Sequence, residues 1–386
     1  MDTPSSQQQD ASISPLVRAL LLVALLFFFL VGVNGLGDGF ELVGEDLLDS
    51  FFAATENPFI GLMIGILATT LVQSSSVTTA SIVGFVAAPV NPLPVATAIP
   101  MIMGANIGTT VTNTVASLAH MNRKEEFRRA FAVATCHDFF NYMAVVILLP
   151  LELATGFLQR GATWLAGVLG GLGGADYDSP IKGAISAGTR PLGWFAETVT
   201  PSDGWAALVL IALSGTIIFV SLMSIVSLMR SAMRTRVEAL VSMALGKTPL
   251  LAIAVGIVAT VMVQSSSITT SLLVPLAGAG VLTLKQAFPV TLGANIGTTV
   301  TALLAALAAT GEYAGAGLTI ALVHLLFNLS ATLLIYPFEP IREIPLRLAR
   351  WLADLAVRSR LLAIAYVVLL FYAVPAAFAI LNRYLG

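Results

Sequence analysis

The sequence predicts an all-α polytopic membrane protein built from two inverted-topology repeats, each with a re-entrant helical hairpin and a broken helix. Composition is the first observation behind this fold class. Of 386 residues, 57% are apolar and only 10% charged. A soluble domain carries about 25% charged residues, so several segments must cross a bilayer. The second observation is repetition. LVQSSSVTTASIVGF from Leu71 returns as MVQSSSITTSLLVPL from Met262, GANIGTTVT from Gly104 returns unchanged from Gly293, and HDFFN from His137 returns as HLLFN from His324. Matched order at offsets of 191, 189 and 187 residues marks an internal duplication. Third, Gln-Ser-Ser-Ser at 73–76 and again at 264–267 divides an apolar run into halves too short to span.

Taken in order, residues 1–13 read as a disordered polar tail, followed by a first repeat over 14–169. Its first helix covers 14–35 and is read as retained rather than cleaved, because a similar helix precedes the second repeat and no clear small-residue cleavage site follows it. An amphipathic stretch at 36–56 leads into short apolar pieces at 58–72 and 77–88. At 1.5 Å per residue a 15-residue helix reaches only ~22 Å of the ~30 Å hydrocarbon core. The pair is therefore read as a hairpin with its polar joint near the midplane, where irregular backbone must be buried or line a watery cavity. Full spans follow at 95–119 and 130–151, then an interfacial helix near 156–172 with Phe157, Trp164 and Leu165. Residues 170–204, rich in glycine and polar residues, read as an extracellular linker. The second repeat, 205–360, runs through a span at 205–229, an amphipathic stretch at 232–247, short pieces at 249–263 and 268–282, spans at 286–309 and 315–338, and an amphipathic helix at 341–358. A C-terminal hydrophobic segment, 361–386, has a span-like core at 361–382.

Charge sets the orientation. Arg123, Lys124, Arg128 and Arg129 flank one loop, Arg230, Arg234, Arg236 and Lys247 a second, and Arg342, Arg347, Arg350, Arg358 and Arg360 a third. The intervening loops carry mainly acids, among them Asp38, Glu41, Glu56, Asp176, Asp178 and Glu312. With basic loops inside, the hairpin after Glu56 enters from outside and the one after Lys247 from inside. Inverted repeats with broken helices meeting at the midplane are the sequence signature of a secondary transporter. A net charge of −2 gives no nucleic-acid signal, and the single cysteine, Cys136, excludes an internal disulfide and most cysteine metal sites.

The polar motifs suggest a division of labour. The second half-helix of each hairpin begins at the serines, so its free N–H groups and positive dipole end face the tip. Serine hydroxyls add donors and the glutamine amide donates or accepts. Two such tips brought together would cradle an anion without any fixed charge. The C-terminal ends of the first half-helices, with glutamine, serine and threonine oxygens, would suit a small hard cation. The glycines of GANIGTT permit unwound backbone, with Asn106, Thr109, Thr110, Asn295, Thr298 and Thr299 supplying oxygens. No Lys or Arg lies in a span near these motifs. A multiply charged anion would need co-bound cations to offset its desolvation, which would couple the two ligands. Asp138 is the one acid inside an assigned span and a functional candidate on that ground.

Each motif also has a purely structural reading. Serine and threonine bond back to their own helices, small residues let helices pack closely, and His137, His324, Asn141 and Asn328 can serve as interhelical hydrogen-bond partners. A serine hydrolase using His137 and Asp138 is disfavoured, because adjacent residues on a helix point about 100° apart and six repeated serines are not one nucleophile.

The paired motifs QSSS, GANIGTT and HDFFN or HLLFN, together with EFRRAF from Glu126, resemble the type II sodium-dependent phosphate cotransporter family over about residues 14–360. The resemblance implies uptake of inorganic phosphate across the plasma membrane (the inner membrane in a bacterium), driven by sodium ions, with no organic cofactor and no enzymatic activity. It implies phosphate binding by Ser74, Ser75, Ser76, Ser265, Ser266 and Ser267, to which the amide chemistry of the two turns adds Gln73 and Gln264 as expected phosphate ligands. It implies sodium binding by Gln264, Ser265, Ser266, Thr298 and Thr299, beside the oxygens of Asn106, Thr109, Thr110 and Asn295. Asp138 matches an aspartate of electrogenic members, where it contributes a further sodium site. The bilayer is the remaining partner, and a monomer is the expected functional unit, with an oligomer left open. A related phosphate exporter, or a carrier of another oxyanion such as arsenate or sulfate, is the alternative. The chain departs from the animal members in its short linker without extracellular cysteines and in lacking a long cytoplasmic tail, so their glycosylation and trafficking signals do not carry over.

Overall fold

The computed structural model describes residues 14–42, 57–89, 92–172, 180–244, 248–309 and 312–385. The expected tail 1–13, the acidic stretch from residue 43 to Glu56, the linker acids Asp176 and Asp178, and Lys247 lie outside the described residues. Regular structure among the described residues is helical throughout. Among the described residues seven helical stretches are long and apolar enough to cross a membrane. Large apolar side chains such as Leu16, Leu20, Leu250, Leu333 and Leu361 stand exposed, as they must where lipid is the solvent. This is an all-α, multi-pass membrane protein.

The chain begins with α1 (Pro15–Glu41), which packs along α9 (Asp203–Ala244). Between them come the short helices α2 (Pro58–Val72) and α3 (Ser75–Val86), then α4 (Val95–Thr109) and α5 (Val111–Ser117), the long α6 (Lys124–Thr155), α7 (Phe157–Leu172) and α8 (Pro180–Val199). The second copy repeats the series with α10 (Pro249–Val263), α11 (Ser266–Ser271), α12 (Leu273–Gly278), α13 (Leu284–Ala308), α14 (Ala314–Ile335) and α15 (Glu339–Arg358). The chain ends in α16 (Arg360–Val368), a π turn at Leu369–Ala373 and α17 (Val374–Leu385). Helices α4, α6, α13 and α14 are mostly buried, whereas α1, α9 and the C-terminal helix present most of their surface outward.

Local chemistry explains the boundaries. Both short first helices open with proline, whose missing N–H costs nothing in a first turn. The Asn57 side chain caps α2 by accepting from the Phe59 N–H at 3.0 Å. Thr283 and Gln286 form a capping box at the start of α13. Gly156, at φ 63°, closes α6 in the left-handed conformation.

Four sequence expectations change here. The helix through the second GANIGTT is unbroken: α13 runs continuously over Gly293–Thr299. In the first copy only Thr110 interrupts, and it keeps helical angles, φ −75° and ψ −19°. The glycines act through close approach instead. A Cβ on Gly104 would lie 2.0 Å from the Leu62 carbonyl oxygen, and one on Gly293 would lie 2.0 Å from that of Ile253. Each buried helix therefore crosses its neighbouring short helix backbone to backbone. Second, the amphipathic stretch at 232–247 is not a separate element, since α9 continues through it to Ala244. Third, the expected linker contains α8, which packs on α1 and α9. Fourth, the piece expected at 268–282 is two short helices meeting at Leu272.

The basic ends gather. Arg128 at the start of α6 pairs with Asp354 of α15 at 2.6 Å, and Lys285 of α13 pairs with Glu343 of α15 at 2.7 Å. Arg360 donates to the Met121 carbonyl at 3.3 Å. Arg129 also donates to the Gly278 carbonyl at the end of α12, through Nη2 at 2.7 Å. The matching end of α3 lies elsewhere, with Ala87 against Gly317 at the start of α14.

Candidate functional site

Both Gln-Ser-Ser-Ser turns have the same backbone. Gln73 sits at φ 56° and ψ 26°, and Gln264 at φ 54° and ψ 29°. They are the two non-glycine residues with positive φ among the described residues, where an L side chain is disfavoured. The following serine is extended and caps the next helix: Ser74 Oγ accepts from the Val77 N–H at 3.3 Å, and Ser265 Oγ from the Ile268 N–H at 3.4 Å. Each glutamine amide donates back to its own helix, at the Thr70 or Val261 carbonyl, and its Oε1 accepts from Thr112 or Thr301 at 3.1 and 3.2 Å.

The two turns, 191 residues apart in sequence, face one cavity. It is lined by Gln73, Ser74, Ser75, Ser76, Gln264, Ser265, Ser266 and Ser267, and closed by Leu222, Met223 and Val226 of α9. Its volume is about 30 Å³, room for a water or two. Ser76 Oγ donates to Thr301 Oγ1 at 3.4 Å across the copies, and Asn113 donates to Thr270 Oγ1 at 2.6 Å. All eight residues expected to frame the anion are thus brought together. Every group in that lining is uncharged, so the donors available are hydroxyls, amides and the first N–H groups of α3 and α11.

The expected cation ligands divide among three places. Gln264, Ser265 and Ser266 lie at the turn. Asn106 and Asn295 lie deeper, in a buried network that the two copies build reciprocally. His137 Nε2 meets Asn295 Oδ1 at 3.0 Å, and His324 Nε2 meets Asn106 Oδ1 at 3.4 Å. Asn141 donates to the Asn106 carbonyl at 2.9 Å, and Asn328 to that of Asn295 at 3.2 Å. The histidines and asparagines of HDFFN and HLLFN are interhelical partners. Thr109, Thr110, Thr298 and Thr299 donate back to carbonyls of their own helices at 2.8, 2.8, 3.0 and 2.8 Å, which leaves their oxygen lone pairs to accept, and Thr110 also lies against the Asp138 carboxylate.

Asp138 forms the third place. It is fully buried, and its Oδ2 accepts from Thr114 Oγ1 at 3.1 Å and from the Tyr366 hydroxyl at 2.8 Å. His137 turns away from it toward Asn295, so the adjacent pair forms no hydrolytic dyad. Sequence reasoning missed Thr112 and Thr301 although both end the repeated GANIGTTVT. It also missed Thr114 and Tyr366, which no repeated motif marks. Among the described residues no group of three or more His, Cys, Asp or Glu side chains could hold a metal ion.

A family model described as Na+/Pi-cotransporter matches residues 28–161 and 217–336. The chain is similar to sodium-dependent phosphate transport protein 2B of Homo sapiens, 33% identical over 445 residues that cover 93% of this chain and 64% of that protein. The 2B protein of Pongo abelii matches to the same extent, 33% over 445 residues and 64% of its length. Sodium-dependent phosphate transport protein 2A of Rattus norvegicus is 33% identical over 442 residues, covering 96% of this chain and 69% of that protein. The chain therefore spans about 64% of the length of the 2B relatives it matches. No solved structure matches it.

Proposed function

Because the chain belongs to the Na+/Pi-cotransporter family, we propose that it is a secondary active symporter in the plasma membrane that couples sodium entry to uptake of inorganic phosphate. The observation that carries the reading is the convergence of both Gln-Ser-Ser-Ser turns on one uncharged polar cavity. Hydroxyls and helix N-termini suit an oxyanion. Hydroxyls alone do not compensate a divalent one, which is why sodium is bound with it. Gln264, Ser265 and Ser266, beside Thr301, hold one sodium near the anion. The Asp138 carboxylate and Thr114 hold another and make transport electrogenic.

The two copies act as inverted repeats, and each short-helix pair is a re-entrant hairpin. The contacts at their far ends support this: the end of α12 meets Arg129 among the basic groups, whereas the end of α3 meets the start of α14. The small volume between the turns supports a cycle of alternating access in which they part to admit phosphate and close over it. The test is uptake of radiolabelled phosphate into proteoliposomes with imposed ion gradients. An inward sodium gradient is expected to drive accumulation with inward positive current, and equal uptake with choline in place of sodium contradicts the symport. Competition by arsenate or sulfate in the same vesicles ranks the oxyanions.

A further inference from the structure

The polar cluster at Asp138 has no counterpart in the second copy. At the matched positions Asn113, Thr114, Ser117 and Asp138 become Ala302, Leu303, Ala306 and Leu325. Its further partner, Tyr366, comes from outside both copies and from outside the two stretches that the family model matches. From Tyr366 the chain runs directly into the π turn at Leu369–Ala373. Pro375 explains why a buried carbonyl there takes a side-chain partner. It has no N–H to give to the carbonyl four residues earlier, which is that of Phe371. Thr70 Oγ1 donates to that carbonyl instead, at 3.1 Å. The next residue, Tyr372, accepts from the Gln73 amide at 3.3 Å and donates to the Thr70 carbonyl at 3.4 Å. One helix thus touches the buried carboxylate at one point and the first Gln-Ser-Ser-Ser turn at another, with a π turn between. Such turns are inserted single residues and occur frequently at functional sites.

We infer that the C-terminal helix, Arg360–Leu385, couples the cation at Asp138 to the anion at the Gln73 turn. This rests on the sodium-coupled reading above. A cation on the carboxylate competes for the lone pairs that accept the Tyr366 proton. The resulting shift of Tyr366 passes through the π turn to Tyr372 and the Phe371 carbonyl, which hold Thr70 and Gln73. Coupling of this kind is reciprocal: sodium strengthens phosphate binding by the factor by which phosphate strengthens sodium binding.

The test is equilibrium binding of radiolabelled phosphate to the purified full chain at low and at saturating sodium. In the wild-type protein sodium raises phosphate affinity. Tyr366→Phe and Tyr372→Phe, which keep the rings, are expected to cut that enhancement about threefold or more, within the usual range of coupling factors. Thr70→Val, which removes the other tie to the π turn, gives the same readout should Tyr366→Phe fail to fold. An enhancement unchanged in every folded variant overturns the coupling role of the helix and leaves symport standing. Phosphate affinity independent of sodium in the wild type overturns the sodium-coupled reading, and the coupling role with it.

Discussion

At Gln73 and Gln264 the backbone takes a conformation that glycine adopts freely and glutamine does not, at a cost on the order of 1–3 kcal/mol. Strain retained at matched positions of both copies marks residues kept for their side chains. Each amide ties the turn to a threonine of the adjacent buried helix. Gln73→Gly removes the strain and the amide together. It is expected to leave the melting temperature of the purified protein unlowered while phosphate uptake falls about tenfold, the effect of roughly 1.4 kcal/mol. Calorimetry and uptake on the same preparation check both halves. Repetition made these glutamines and the serines legible in the sequence. Asp138 was legible as an acid in an apolar span. Its partners were not: Thr114 resembles any helical threonine, and Tyr366 lies 228 residues from Asp138, a separation that only the folded chain closes.

Among elements, the most consequential correction concerns GANIGTT. Its glycines read as a break because glycine destabilises helices, yet tertiary contact overrides that propensity. Gly104 and Gly293 let each buried helix touch the backbone of its neighbour, where a methyl group would sit 2.0 Å from a carbonyl oxygen. Gly104→Ala and Gly293→Ala are each expected to cost about 1–3 kcal/mol or more and to lower the melting temperature by several degrees. Gly315→Ala, where a Cβ meets nothing within 4 Å, is expected to be neutral in the same measurement. The ends of the short helices were legible to the residue, at 58–72 and 249–263, since proline and the polar turn bracket each one. The division of the 266–278 stretch and the helix within 170–204 were overlooked, although Pro275 withholds the N–H that the Ser271 carbonyl would take and Pro180 opens α8; both prolines sit in stretches that read as a single apolar piece and as a glycine-rich linker. A second clasp joins elements at the basic end. Lys285 donates to Glu343 and holds its carboxyl below the usual carboxylate range, with Arg350 at 3.4 Å adding to it. A depressed carboxylate stabilises the fold above its unfolded pKa of about 4.3 and stops doing so as pH falls through the folded value. Glu343→Gln should therefore lower the melting temperature at pH 7, with the difference from wild type closing below about pH 4.

For the whole molecule, the central claim is that two copies of one motif build a single site that neither builds alone. The serines of both turns line one cavity, Ser76 reaches Thr301 across the copies, and each histidine bonds the asparagine of the other copy. Sequence alone showed the duplication; the convergence required the fold. The most direct measurement is the stoichiometry of phosphate bound to the purified protein, with and without sodium, in wild type, Ser75→Ala and Ser266→Ala. A shared site predicts one phosphate per chain in sodium, little in choline, and affinity reduced about tenfold or more by either substitution. Two phosphates per chain, with each substitution abolishing only one, would contradict it.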